Sequence, residues 1–119
     1  MNKQSAGDDF NGLQEQLQGP PEFLQRLGQL SPAQLQAEVQ GWLVAWLGVR
    51  ANLPLGVVQP TAPFAQLGID SLTAVEISQE LDQILGLQSP PMVIWTCPTP
   101  ADLADYLTEE LQNTATKIG

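Results

Sequence analysis

Two stretches of this chain open a helix in the same way. Ser31-Pro32-Ala33-Gln34 and Thr99-Pro100-Ala101-Asp102 each place a hydroxyl side chain at the cap, followed by proline, whose missing amide costs nothing at the first helical position. Gln34 stands where it can complete a capping box with Ser31. No segment shows the apolar and polar alternation of a half-buried strand. The expected fold is therefore all-α, a small four-helix bundle of three main helices plus a short third one.

The first main helix starts at Ser31, and Leu35, Val39, Trp42 and Trp46 share a narrow arc that makes them its core stripe, with Gly48 as the stop. Ahead of it, Leu24, Leu27 and Leu30 at spacings of three predict a short helical turn. From Val49 to Ile69 the chain carries Pro54, Gly56, Pro60, Pro63 and Gly68, too broken for a helix or a paired strand. That run is a long loop between helices I and II, with Leu53, Val57, Phe64 and Leu67 expected to turn inward. Helix II follows, from Asp70 or Ser71 to Gly86, and Ala74, Ile77, Leu81 and Leu85 fall within about 80° of one another on its wheel. A short helix III at Met92 to Trp95 and a fourth helix burying Leu103, Leu107, Tyr106 and Leu111 complete the set, with Cys97 a packing residue between them.

Residues 1–20, with glycines scattered among Gln and Asp, read as a flexible leader, 21–112 as the folded domain and 113–119 as a flexible tail. A chain of 119 residues holds one domain and a modest core. Thirteen acids against four bases give a formal charge of −9, which argues against nucleic acid and anionic membranes and points to basic protein surfaces. The sequence has no histidine, which removes the commonest general base and metal ligand and excludes a Ser-His-Asp hydrolase. A single cysteine and no membrane-length apolar run place the chain in the cytoplasm by default. No catalytic residue and no metal site is expected.

Within "QLGIDSLTAVEIS", from Gln66 to Ser78, Ser71 falls in the first turn of a helix, where unpaired amides and the helix dipole favour an attached or bound phosphate. Local propensity alone reads Asp70 and Ser71 as a cap. Leu72 and Glu76 point away from the core face, Val75 sits on its flank, and Gln79 also lies off it. Two apolar side chains left at the surface beside one serine mark a contact site.

"LGIDSLTAVEI" at Leu67 to Ile77 closely resembles the attachment motif of acyl carrier proteins, with its D-S-L triplet opening helix II. "SPAQLQAEVQGWLVAWLG", the long loop and "VIWTCPTPADLADYL" extend the resemblance to the carrier domains of modular polyketide synthases, from Pro21 to Leu111. The resemblance implies that 4′-phosphopantetheine from coenzyme A is joined to the Ser71 hydroxyl by a phosphopantetheinyl transferase that uses magnesium, and that Asp70 helps this transferase engage its metal and cofactor. It also implies that acyl intermediates ride as thioesters on that arm, and that Leu72, Val75, Glu76 and Gln79 face partners such as a ketosynthase, an acyltransferase and other synthase domains. Glu80 and Asp82 would extend an acidic surface for basic patches. The D-S-L triplet favours acyl over aminoacyl cargo and a monomer is expected when the domain is excised; a peptidyl or fatty-acyl carrier, or an unmodified helical interaction module, are the alternatives.

Overall fold

The computed structural model describes residues 19–54, 56–90 and 93–118. The leader expected over residues 1–20 lies outside this range up to residue 18, as do Leu55, Pro91, Met92 and Gly119. Four α-helices are present, α1 (Pro32–Arg50), α2 (Ser71–Leu85), α3 (Val93–Thr96) and α4 (Pro100–Ile118), with 3-10 turns at Glu22–Arg26 and Phe64–Leu67 and no strand among the described residues.

The local signals at the helix starts form as the sequence predicts. Ser31 Oγ accepts from the Gln34 amide at 3.1 Å while Gln34 Oε1 accepts from the Ser31 amide at 2.9 Å, a complete capping box. At α4 the Asp102 amide donates to Thr99 Oγ1 at 3.1 Å. Each cap satisfies amides that a helix start otherwise leaves orphaned, and is worth about 1 kcal/mol.

The end of α1 differs from expectation. Gly48 does not stop the helix, which runs to Arg50. Asn52 supplies the left-handed residue instead, at φ 57°, with its amide donating to Val49 O at 3.2 Å and the Leu53 amide to Gly48 O at 2.7 Å. That paired arrangement closes the last carbonyls of a helix, and asparagine tolerates the conformation better than most side chains. At the end of α2 Gly86 takes the same role, at φ 72°, and the Leu87 amide reaches back to Asp82 O at 3.0 Å.

The core is assembled from one face of each long helix. Leu35, Val39, Leu43, Trp46 and Leu47 of α1, Ala74, Ile77, Leu81 and Leu85 of α2, Val93 and Ile94 of α3, and Leu103, Leu107 and Leu111 of α4 are all buried. Leu43 and Leu47 lie outside the predicted stripe because α1 is covered on more than one side. Trp42, expected in the core, is only half-buried: it stands edge-on to Phe23 (6.1 Å between centroids, 85°) and stacks on Trp46 (6.1 Å, 24°). Phe23 belongs to the turn expected from the leucine spacing, and a period of three is that of a 3-10 helix. α1 packs mainly along α4, and Gln36 Nε2 donates across that seam to Asp105 Oδ1 at 3.1 Å. Cys97 is half-buried against the core. α4 keeps its helical backbone through the stretch read as a tail, to Ile118.

The long loop, 51–70, is pinned to the start of α4. Phe64, 3% exposed, is its main apolar anchor, and the amide of Ala101 donates to Pro60 O at 2.8 Å. Leu53 and Leu67 are partly buried as expected. Val57 is not: it is 44% exposed, and its neighbour Val58 is buried in its place.

Candidate functional site

The loop delivers its end to α2 in a fixed geometry. After the 3-10 turn at Phe64–Leu67 the chain passes through Gly68 at φ 80°, a left-handed conformation that a side chain would strain. The Ile69 amide then donates to Phe64 O at 3.2 Å, and Ile69 is buried. Asp70 adopts extended backbone and caps α2, its Oδ1 accepting from the Thr73 amide at 2.9 Å. The Thr73 amide, with the Thr73 hydroxyl second, holds the Asp70 carboxyl below the usual carboxylate range.

Ser71 is thereby the first residue of α2, exposed, and among the described residues its hydroxyl has no hydrogen-bond partner. The turn before it, the cap on it and the first-turn amides behind it suit a covalently attached phosphoryl group: the hydroxyl is free to react, and the helix start favours negative charge close by. The residues present therefore fit phosphopantetheine attachment.

The side chains expected to meet partners are exposed much as the wheel predicts. Leu72 is 69% exposed, the most open large apolar side chain described, Glu76 and Gln79 are exposed, and Val75 is half-buried on the flank. Trp95 on α3 is also exposed.

The acidic surface expected along α2 is not free. Arg50, at the end of α1, donates from Nε to Glu80 Oε1 at 2.7 Å and from Nη2 to Glu80 Oε2 at 2.9 Å, a bidentate fork, and Nη2 also reaches Glu76 Oε1 at 3.5 Å. The hydrogen bond to Glu80 pushes the Arg50 guanidinium above its ordinary range, against some desolvation. Asp82 turns inward to accept from the Ser89 amide at 2.9 Å, behind the end of α2. Each carboxylate of α2 and its cap thus has a partner inside the protein. Sequence reasoning missed Arg50, although one of only four bases in the chain, placed just ahead of a loop that returns to the spaced acids Glu76 and Glu80, was a readable signal.

No group of residues able to hold a metal ion occurs among the described residues, and none of the helices there is long and apolar enough to cross a membrane.

Comparison with known proteins agrees with this geometry. The family model described as the phosphopantetheine attachment site matches residues 41–107, which contain the whole of α2 and the Ser71 turn. Polyketide synthase GfsE of Streptomyces halstedii is 37% identical over 102 residues, 82% of this chain and 3% of that protein. The pikromycin polyketide synthase component PikAII of Streptomyces venezuelae is 37% identical over 86 residues, 71% of this chain and 2% of that protein. Among solved structures, the A1-type ACP domain from module 5 of MLSA1 superposes with a TM-score of 0.65 at 25% identity, covering 74% of this chain and 89% of that one. The chain thus spans a few per cent of the length of these synthases.

Proposed function

Since the chain belongs to the phosphopantetheine attachment site family, we propose that it is the acyl carrier domain of a polyketide synthase and that Ser71 is its point of attachment. The observation that carries this reading is the exposed Ser71 hydroxyl, without a partner among the described residues and set at the first residue of α2 behind the Asp70 cap.

In this reading the Ser71 oxygen bonds to the phosphorus of 4′-phosphopantetheine as the pyrophosphate bond of coenzyme A breaks and adenosine 3′,5′-bisphosphate leaves, with the serine proton passing to a base of the phosphopantetheinyl transferase that supplies the catalysis. When bound, 4′-phosphopantetheine supplies a terminal thiol that carries acyl groups as thioesters. Asp70 keeps its charge next to the serine and helps the transferase engage magnesium and coenzyme A. Leu72, Val75, Glu76 and Gln79 form the face that the transferase and the synthase domains read, a ketosynthase and an acyltransferase among them. The chain itself performs no chemistry: it fixes the attachment point and presents the arm. Its setting is the cytoplasm, where coenzyme A is available to the transferase.

Intact-protein mass after incubation with a broad-specificity phosphopantetheinyl transferase, coenzyme A and magnesium tests this. The folded chain gains one phosphopantetheinyl group and Ser71→Ala gains none. No gain by folded, demonstrably unmodified protein with several transferases overturns the assignment.

A further inference from the structure

The distribution of charge around Ser71 carries a conclusion about partners. The sequence puts Glu76, Glu80 and Asp82 on α2 behind Asp70, a pattern that invites lysines and arginines. In the folded chain each of these acids has a partner, but only Arg50 brings an opposing charge, because a backbone amide leaves a carboxylate charged. Asp70 holds the Thr73 amide, Asp82 holds the Ser89 amide, and Arg50 occupies both oxygens of Glu80 and one of Glu76. A guanidinium fork on a carboxylate is the geometry a basic partner would itself seek. Leu72, by contrast, is 69% exposed on the same helix, one turn ahead of Glu76. Asp70 and Glu76 are exposed beside Leu72, and Asp102, Asp105 and Glu109 are exposed on α4.

We propose that Arg50 is a specificity-determining residue that takes, within the chain, the place of a basic partner side chain on Glu76 and Glu80, so that the Ser71 end of α2 is recognised mainly through apolar contact at Leu72. The kind of partner this surface fits has an apolar pocket for Leu72 and does not depend on lysines or arginines meeting Glu76 and Glu80. A strongly basic docking surface must first displace Arg50 and binds more weakly for it. This rests on the carrier reading of the preceding subsection.

The test uses the full chain and loading by a broad-specificity phosphopantetheinyl transferase with coenzyme A, comparing variants by the ratio of their KM values so that the salt response of the transferase cancels. In Arg50→Gln the two carboxylates are released. Its KM falls about threefold below that of the natural chain at roughly 20 mM salt, and the two converge at roughly 300 mM, where such attractions are screened. Arg50→Lys, which keeps the charge, stays within about twofold of the natural chain. Glu80→Gln also stays within about twofold, because Glu80 is already occupied. A KM for Arg50→Gln equal to or above the natural value at low salt overturns the proposal, and so does a tenfold rise for Glu80→Gln. Should Arg50→Gln fail to fold by circular dichroism, the Glu80→Gln result decides alone. Loading of the natural chain at Ser71 is read in the same experiment, so failure of the carrier assignment is distinguished from failure of the Arg50 proposal.

Discussion

The amide of Phe64 donates to the carbonyl of Pro98 at 2.8 Å, tying the turn that leads into Ser71 to the segment that leads into α4. With the Phe64 ring buried beside this bond, the long loop is anchored by one residue in two ways. Replacing Phe64 by alanine removes a buried aromatic and leaves a cavity, so Phe64→Ala is expected to cost about 3 kcal/mol or more, read as a lower midpoint in denaturant-induced unfolding. Amide exchange at Phe64 in the natural chain should be slow, and fast exchange there contradicts the anchoring.

Asp70 links the site to pH. Its folded pKa lies below the ordinary value of about 3.9, because the Thr73 amide bonds the charged form. Its stabilising contribution is therefore fully present above that unfolded value and is lost as pH falls through the lower folded one. Asp70→Asn keeps an oxygen for the Thr73 amide at every pH. The difference in melting temperature between the natural chain and Asp70→Asn should stay flat from pH 7 to about pH 5 and shift against the natural chain only below about pH 4.

Ser78 and Thr108 make opposite predictions. Thr108, 6% exposed, donates its hydroxyl to Ala104 O at 2.7 Å, whereas Ser78, 4% exposed, has no partner for Oγ among the described residues. Removing an unpaired buried hydroxyl relieves a desolvation cost, and alanine is the better helix former, so Ser78→Ala is expected to be neutral or to stabilise by about 1 kcal/mol. Thr108→Ala should destabilise by about 1 kcal/mol. Denaturant titrations of the two variants side by side would show the sign.

Leu72 separates docking from folding. At 69% exposure it contributes little to the core, and Leu72→Gln should leave the melting temperature within about 1 °C. The KM for transferase loading should rise roughly fivefold to tenfold, the size expected when an apolar anchor is removed from an interface. A normal KM in this variant would move the recognition face away from the start of α2.

What could be read from the sequence was whatever neighbours dictate. The caps at Ser31, Asp70 and Thr99 depend on residues within three positions, and the core faces of α2 and α4 depend on a regular period, so both were legible. The end of α1 was not, because it is decided by carbonyl closure at Asn52 and Leu53, and Gly48 is merely accommodated within the helix. In the loop, where no period operates, Val57 and Val58 could not be told apart. Arg50 was overlooked because its partners stand 26 and 30 positions away, and pairing over that distance exists only once α1 and α2 lie together.

The approach to Ser71 through Gly68, the buried Ile69 and the Asp70 hook onto Thr73 fixes the backbone on which the proposed attachment residue sits. On the carrier reading, a cargo tethered at Ser71 would pivot about a stationary post. Its excursion comes from the single bonds of the tether and from reorientation of the bundle as a whole, so the distance between two successive stations is bounded by tether length once the bundle has docked.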